Sequence, residues 1–259
     1  MTNNTIHMSP TRAFKFAQNP LRALEDYLGE IDWYESDDKT ALFYGTIVHN
    51  IAEGRNMLDG LSEDEQGQLI STRGATKGHL KSGFVEAEIV GNHLRDYVKT
   101  LSDEPRFEVS LKEPNDLEVD GETYEFNVTG RADMLTDDTV YDFKTVANNE
   151  FDGFLKFGSF RDNREQNYIK QVAFYAHMFG KKKAHILYIQ KNSKTPFIYD
   201  YQLSEQDLYD GWQDIAKEIE TAVQVIAQGK DKAKAVNDGS QWAFKYYGGV
   251  IYGNYNDEV

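Results

Sequence analysis

Two aspartates and a lysine lie within the apolar, strand-like segment TGRADMLTDDTVYDFKTV. Asp142 and Lys144 are two residues apart, so in a strand their side chains share one face. If TDDT forms a tight hairpin, Asp133 lies directly opposite Asp142, with the two Cβ atoms about 5 Å apart. Like charges in that position repel each other, and a one-residue slip of the register would separate them. The pair therefore predicts a compensating group.

A divalent cation between Asp133 and Asp142 would remove this repulsion. Hard oxygen ligands favour Mg²⁺, with Mn²⁺ as the alternative. Lys144, on the same face, would orient a water molecule or stabilise negative charge on a phosphate. The alternative interpretation is that both aspartates are edge-strand charges that keep the sheet from pairing with other chains.

The composition excludes several classes of site. The chain of 259 residues has no Cys, which excludes disulfides, zinc–thiolate sites and iron–sulfur clusters. No apolar run reaches membrane-spanning length, and the first ten residues lack a charged-then-apolar signal pattern, so the sequence predicts a cytoplasmic protein. The net charge of −15 argues against a broad basic surface but leaves room for a local basic groove.

Capping residues and periodicity predict a mixed α/β fold. Ser9 and Pro10 are typical of a helix N-terminus. Helices are predicted over TRAFKFA, Leu21 to Leu28, TALFYGTIVHNIAEG, FVEAEIVGNHLRDYVKTL, EQNYIKQVAFYAHMFG and Ser204 to about Gln228. Strands are predicted over RFEVSL, YEFNVTGRADML, TVYDFKTV, AHILYIQ and PFIYDYQL, where β-branched and aromatic residues are frequent. Helices, then a sheet with one inserted helix, then a helix indicate a mixed β-sheet flanked by helices.

The order of these motifs resembles the PD-(D/E)XK nuclease superfamily, which has a restriction-endonuclease-like core. Asp133, followed after a short hairpin by Asp142-Phe143-Lys144, is similar to the core motif. GTIVHN resembles the helix of RecB-type nucleases that brings a His to the metal, and QVAFY resembles their Gln-x-x-x-Tyr motif. FEVSL followed by GRAD, and the opening MSPTRAFKFAQNP, resemble RecE-type phage exonucleases. The resemblance covers the chain from residue 9 to about residue 175.

The resemblance implies a set of site residues. The implied metal ligands are His49, Asp133, Asp142 and the backbone carbonyl of Phe143. The implied catalytic residues are Asp133, Asp142, Lys144, Gln171 and Tyr175. Glu108 matches the Glu-x-Ser position of the RecE-type enzymes, and three roles stay open for it: a peripheral metal ligand, a residue that holds water, or a solvent-facing strand residue.

Two of these assignments have structural alternatives. His49 lies on a helix whose apolar stripe is Leu42, Phe43, Ile47 and Ile51. A lone His there is more often a core residue, but the carboxylate pair favours a neutral imidazole ligand. Gln171 and Tyr175 lie nearly opposite the apolar face of their helix, which favours contact with a polar site or a ligand backbone over a helix buried on both sides.

Basic residues are candidates for DNA contact. Arg73, Lys77 and Lys81 lie in STRGATKGHLKSG, a Gly-rich segment with little periodicity that we expect to be a mobile loop. Arg131, close to Asp133 in the sequence, is the fourth candidate. The alternative interpretation is that these basic side chains are ordinary solvent-exposed surface residues that do not contact DNA.

These features predict an Mg²⁺-dependent DNA exonuclease that hydrolyses phosphodiester bonds from duplex ends. The RecE-type resemblance implies phage recombination by end resection in the host cytoplasm, a homo-oligomeric ring, and a single-strand annealing protein as partner. A ring that encloses the DNA would also explain why the outer surface need not be basic. Two alternatives stay open: a PD-(D/E)XK endonuclease of resolvase or restriction type, and a non-catalytic DNA-binding module.

We expect a single nuclease domain over residues 1–259. Residues 1–104 form its mainly helical part, which carries His49. Residues 105–203 contain the catalytic sheet and the Gln-x-x-x-Tyr helix. Residues 204–259 hold the C-terminal helix and the aromatic tail WAFKYYGGVIYGNY, for which no element is predicted.

Overall fold

A computed structural model describes residues 5–34, 38–101, 104–191 and 194–248. The helices in these ranges are α1 (Pro10–Gln18), α2 (Pro20–Tyr27), α3 (Thr40–Ala52), α4 (Glu63–Leu69), α5 (Ser82–Leu101), α6 (Asn148–Phe157), α7 (Glu165–Met178), α8 (Glu205–Gln228) and α9 (Gln241–Tyr246). The strands are β1 (Ile6–Met8), β2 (Arg106–Val119), β3 (Glu122–Leu135), β4 (Thr139–Val146), β5 (Lys183–Gln190) and β6 (Ile198–Gln202). Within these ranges, no helix combines the length and the apolar character needed to cross a membrane.

The six strands form one mixed sheet. Their order is β1-β3-β4-β5-β6, with β2 paired to β3. β1 is parallel to β3 and β4 is parallel to β5, whereas the β3–β4 and β5–β6 pairs are antiparallel. A parallel pair needs a long crossover connection, which α6 and α7 supply between β4 and β5. The predicted mixed α/β fold is confirmed, with two helices in the crossover where the sequence predicted one.

Side-chain caps start the helices where the sequence predicts them. The Ser9 hydroxyl accepts the Arg12 N–H at 3.3 Å, with Pro10 as the first residue of α1. Asn19 caps the next helix, α2, in the same way. The Ser204 hydroxyl accepts the Asp207 N–H at 3.1 Å at the start of α8. These caps satisfy N–H groups that have no partner inside the helix.

The described residues group into two compact units. The first lies within Met1–Asp37, Lys112–Thr129 and Asp214–Val259, and the second within Asp38–Leu111 and Gly130–Gln213. All of the predicted site residues belong to the second unit. The single domain of three parts stays a prediction.

The first unit has a buried ion pair of its own. Arg22 NH1 lies 3.1 Å from Asp238 Oδ2, and the Arg22 guanidinium is 4.3 Å from the centre of the Trp33 ring. Burial raises the pKa of Asp238, but hydrogen bonds from Ser240, Asn19 and Arg22 outweigh it and lower the pKa to about 2. The carboxylate is therefore charged at neutral pH and pairs with the arginine.

The core of the second unit lies between the sheet and helices α3 and α5. Ile47 of α3, Leu94 of α5 and Leu187 of β5 are fully buried in it. Gly91 allows α5 to approach α3 closely, because a Cβ at this position would lie 2.8 Å from the Cβ of Ile51. This packing fixes the helix that carries His49.

Several local predictions were incomplete or wrong. Helices α4, α6 and α9 and strand β1 were not predicted. Leu42 was predicted to lie in the apolar stripe of α3, but it is 63% exposed, because the first turn of this helix projects beyond the core. Helix α9 covers the start of the aromatic tail, and residues 249–259 of that tail lie outside the described residues.

Candidate active site

The β3–β4 hairpin positions the two aspartates. Met134 pairs with Tyr141 in antiparallel register, so the next position along each strand puts Asp133 opposite Asp142. There the Phe143 backbone N–H donates to Asp133 Oδ2 at 2.7 Å. The predicted hairpin register is confirmed, and the Asp133 carboxylate is fixed by the main chain of the opposing strand.

Asp142 and Lys144 form an ion pair on one face of β4. Lys144 Nζ lies 2.7 Å from Asp142 Oδ2, and the Asp142 side chain is only 3% exposed. Burial raises the pKa of Asp142 to about 6, although Lys144 lowers it. Burial likewise raises the pKa of Asp133 to about 6, against the lowering effects of Lys144 and the Phe143 N–H. Both carboxyls are therefore poised to exchange protons near neutral pH.

Three side chains of α7 determine the position of Lys144. Burial lowers the pKa of Lys144, but the carboxylates of Asp142 and Asp133 outweigh it and raise the pKa, so the ammonium stays charged. Lys144 Nζ donates to Gln171 Oε1 at 3.2 Å and lies 4.8 Å from the centre of the Tyr168 ring. Gln171 Nε2 in turn donates to the Tyr175 hydroxyl at 3.3 Å. Gln171 and Tyr168 therefore contact the lysine directly, and Tyr175 supports the Gln171 amide.

Helix α7 lies very close to β3. Tyr175 is buried, and a Cβ at Gly130 would lie only 2.7 Å from its ring. Only glycine fits this contact without displacing the ring. The helix also buries Phe174 and Val172. On the second face of this helix only Tyr175 is buried, whereas Tyr168, Gln171 and Met178 are half-buried. The face contacts the polar group of Lys144 through Gln171.

His49 reaches the aspartates from α3. Its Nδ1 lies 3.7 Å from Asp133 Oδ1, and its ring contacts the Phe143 ring edge-on, with centroids 5.5 Å apart. Burial lowers the pKa of His49 and the Lys144 ammonium lowers it further, against the raising effects of Asp142 and Glu108. The imidazole is therefore neutral at neutral pH, the form that binds metal ions.

Glu108 completes a group of three possible ligands. His49, Glu108 and Asp133 each offer an atom, and these atoms all lie within 4.8 Å of one another. Glu108 has φ of 51°, a left-handed conformation that is unfavourable for a residue with a side chain, and strain of this kind concentrates at functional sites. Its carboxylate pairs with Arg131 NH1 at 2.7 Å. Of its three predicted roles, the solvent-facing one fits this geometry least.

The donor set fits a divalent cation. It offers one neutral imidazole and carboxylate oxygens from Glu108 and Asp133 within the span of a single ion, and Asp142 lies opposite Asp133 on the hairpin. Carboxylates suit Mg²⁺ and Mn²⁺, and imidazole is accepted by Mn²⁺ and other transition metals. The prediction that these residues bind the metal, together with the Phe143 carbonyl, stays a prediction.

Comparison with known proteins identifies the family. Residues 9–236 match the family described as a PDDEXK-like domain of unknown function (DUF3799). The chain belongs to this PDDEXK-like family. A crystal structure of a protein from Eubacterium rectale, named "Putative exonuclease", aligns with a TM-score of 0.66 at 19% identity over 96% of this chain and 90% of that one. A second solved structure, SSO0001, aligns over 90% of this chain and 91% of its own at 17% identity, with a TM-score of 0.35. No curated protein matches the chain.

Glu53, which was not among the predicted site residues, is a buried acidic side chain just after α3. Glu53 Oε2 pairs with Arg55 Nε at 2.8 Å, and the Glu53 side chain is only 4% exposed. Burial raises the pKa of Glu53 to about 7; Arg55 lowers it, whereas Glu108 and Asp133 raise it. The signal available in the sequence was the spacing: Glu53 follows His49 by four residues, and as the C-cap of α3 it continues the helical backbone for one more residue.

The predicted DNA-contacting loop has more local structure than its sequence suggests. An isolated antiparallel bridge joins Ile70 to Leu80, and a short 3₁₀ turn spans Gly74–Thr76. Its described hydrogen bonds are local. The side chains of Arg73, Lys77 and Lys81 are exposed. Of the four basic candidates, Arg131 contacts the acidic site through Glu108. Among the described residues, Arg73, Lys77 and Lys81 make no contact with that site.

Proposed function

We propose that this protein is a divalent-metal-dependent deoxyribonuclease that degrades duplex DNA from its ends. The observation that carries the proposal is the convergence of Asp133, Asp142 and a charged Lys144 with a neutral His49. Membership in the PDDEXK-like family supports hydrolysis of phosphodiester bonds. The bound cation would lower the pKa of a water molecule and stabilise charge on the leaving oxygen.

The protein's own side chains orient the reacting groups. The Lys144 ammonium, held between Asp142, Gln171 and the Tyr168 ring, carries three N–H donors. It can hold the attacking water and stabilise negative charge on the phosphate in the transition state. Because its position is fixed before substrate binds, little reorganisation is needed during the reaction. The role of Gln171 in this proposal is to position Lys144.

The choice of an exonuclease rests on similarity and on charge. The motifs shared with RecE-type enzymes, and the name given to the Eubacterium rectale protein, favour an enzyme that acts on ends. A net charge of −15 favours DNA enclosed by a ring of subunits over DNA lying on an open surface. Recombination by end resection beside a single-strand annealing protein follows as the biological role. Mg²⁺ is the proposed metal, with Mn²⁺ as a substitute, and a host-cell cytoplasm is the proposed location.

Digestion of end-labelled linear duplex DNA tests this function. The control substrate is the same DNA as a covalently closed circle, and each reaction is run with Mg²⁺ and with EDTA. We expect progressive shortening of the linear DNA in Mg²⁺, with the circle left intact. Cleavage of the circle would favour the endonuclease alternative, and binding without cleavage in both Mg²⁺ and Mn²⁺ would favour the non-catalytic module.

The exposed basic loop is expected to supply part of the affinity for DNA. Replacing Arg73, Lys77 and Lys81 together with Gln should weaken binding and flatten the dependence of log affinity on log salt. Each phosphate contact contributes a slope of about −0.9, so three lost contacts should reduce the slope by up to about 3. The measurement is binding of a blunt duplex across a salt series in Ca²⁺, which is chosen to support binding without cleavage.

A matched variant controls for the loss of three positive charges. It replaces three exposed lysines outside the loop: Lys99, Lys112 and Lys217. If both triple variants change the slope equally, general charge accounts for the effect and the loop has no special place on the DNA path. A wild-type slope as steep as that of a protein with six to ten phosphate contacts would contradict the enclosed-channel proposal.

A further inference from the structure

Glu53 has one carboxylate oxygen without a described partner. Its Oε2 is paired with Arg55, but its Oε1 is buried and accepts no hydrogen bond from any described residue. The side chain is 4% exposed, so water in bulk solvent does not compensate this oxygen. A buried carboxylate oxygen without a partner is unfavourable, which indicates that it faces a group bound during function.

The surroundings of Glu53 point to a cation as that group. The carboxylates of Glu108 and Asp133 act on Glu53 by electrostatic repulsion. The Lys144 ammonium offsets part of the charge of Asp133, but it is paired with Asp142, and the side chains of Arg55 and Arg131 are 42% and 64% exposed. His49, the remaining neighbour on α3, is neutral. The Glu53 carboxylate thus lies in the field of two further carboxylates, which themselves belong to a group that could hold a metal ion, and a positive ion would be stabilised there.

We propose that Glu53 is a further cation-holding residue of this site, whose Oε1 receives a divalent cation, directly or through one coordinated water, on the side of Glu108 and Asp133. The inference rests on the proposed function, because it assumes that the acidic group binds metal. It adds the C-cap residue of α3 to the cation site, four residues after His49. Arg55 then has a supporting role: it holds the other carboxylate oxygen and so orients the free one.

Calorimetric titration with Mn²⁺ alone, without DNA, tests this inference. Glu53→Gln keeps the shape of the side chain and its contact with Arg55 but removes the charge. We expect its Mn²⁺ affinity to fall by about 10- to 100-fold, the usual effect of losing a supporting ligand. Glu88→Gln, at an exposed position on α5, removes the same charge and should bind Mn²⁺ as the wild type does.

The melting temperature separates a cation-holding role from a structural one. Without metal, Glu53→Gln should melt at the wild-type temperature or above it, because one of three repelling charges is gone. A lower melting temperature with unchanged Mn²⁺ affinity would assign Glu53 to the structure of the α3 terminus and overturn the inference. If Glu53→Gln does not fold, Glu53→Asp keeps the charge but withdraws the oxygens, and unchanged affinity in that variant would also overturn it.

Asp133→Asn distinguishes failure of this inference from failure of the proposed function. If Asp133→Asn loses Mn²⁺ affinity and Glu53→Gln does not, the metal site stands and only the assignment of Glu53 is wrong. If both variants bind Mn²⁺ as the wild type does, the acidic group is not the metal site and the proposed function itself fails.

Discussion

The Asp133→Asn variant is expected to hydrolyse DNA about a thousand-fold more slowly than the wild type, or more slowly still. Without metal, its melting temperature should equal or exceed that of the wild type. Metal ions contribute several kcal/mol to stabilising such a transition state, and each 1.4 kcal/mol is about tenfold in rate. Asn keeps an oxygen that can accept the Phe143 N–H, but it removes a charge that is unfavourable because it is buried and because it repels Asp142. The measurements are single-turnover hydrolysis in Mg²⁺ and thermal unfolding in EDTA.

The stability difference should depend on pH. Burial raises the pKa of Asp133 from 3.8 to about 6. A carboxyl whose pKa is raised by folding destabilises the folded state once it ionises, so the cost is absent below about pH 4 and complete above about pH 6. The difference in melting temperature between Asp133→Asn and the wild type in EDTA should therefore be small near pH 4 and grow as the pH rises to about 6.

Asp133→Ala is the matched comparison for this experiment. It removes the same charge but also the acceptor of the Phe143 N–H, and a buried donor without a partner costs about 1–3 kcal/mol. The Ala variant should therefore melt below the Asn variant. Hydrolysis at the wild-type rate by either variant would reject the catalytic role of Asp133. An Asn variant that melts well below the wild type would show that the Asp133 charge does not destabilise the metal-free protein.

Lys144→Met should abolish activity with the opposite effect on stability. Losing one positioned charge donor costs about a hundred- to a thousand-fold in rate. The substitution also leaves Asp142 buried without its counter-ion, which can cost up to about 3–5 kcal/mol, although proton uptake by Asp142 will reduce that cost. We therefore expect the melting temperature of Lys144→Met in EDTA to be lower than that of the wild type. Mn²⁺ should restore part of the difference, and the variant should bind Mn²⁺ at least as tightly as the wild type does.

A double variant checks the origin of this destabilisation. Adding Asp142→Asn to Lys144→Met removes the stranded charge, so the melting temperature in EDTA should rise again without any return of hydrolysis. No recovery in the double variant would mean that Lys144 stabilises the fold through its packing on Tyr168 and not through its charge. Wild-type hydrolysis by Lys144→Met would remove the lysine from the mechanism.

The parts of the site that the sequence could predict depend on short-range rules. The register that sets Asp133 opposite Asp142 follows from a tight turn and the alternation of side chains along a strand. The start of α1 follows from the Ser9 cap and the fixed backbone of Pro10. In each case the interaction joins residues that are close in the chain, so the local sequence contains all the information needed.

The parts that were missed depend on contacts between distant segments. The exposure of Leu42 follows from where the core ends, which the periodicity of α3 alone does not reveal. The close approach of α7 to β3 requires Gly130, more than forty residues earlier, to admit the ring of Tyr175. The role proposed for Glu53 depends on the charges of Glu108 and Asp133, which come from distant segments and raise its pKa, whereas its own segment resembles an ordinary helix end.

If the acidic cluster binds the proposed cation, its buried carboxyls must exchange protons for the metal ion. The pKa values of Asp133 and Asp142 are raised to about 6, and that of Glu53 to about 7, so in mildly acid solution the metal-free cluster carries protons. Carboxyl ligands bind cations in their ionised form, so an arriving ion must displace those protons. Acidification then competes with metal uptake, and metal uptake releases acid into the buffer. For the proposed nuclease, the metal concentration that gives half-maximal activity would therefore depend on the pH as well as on the protein.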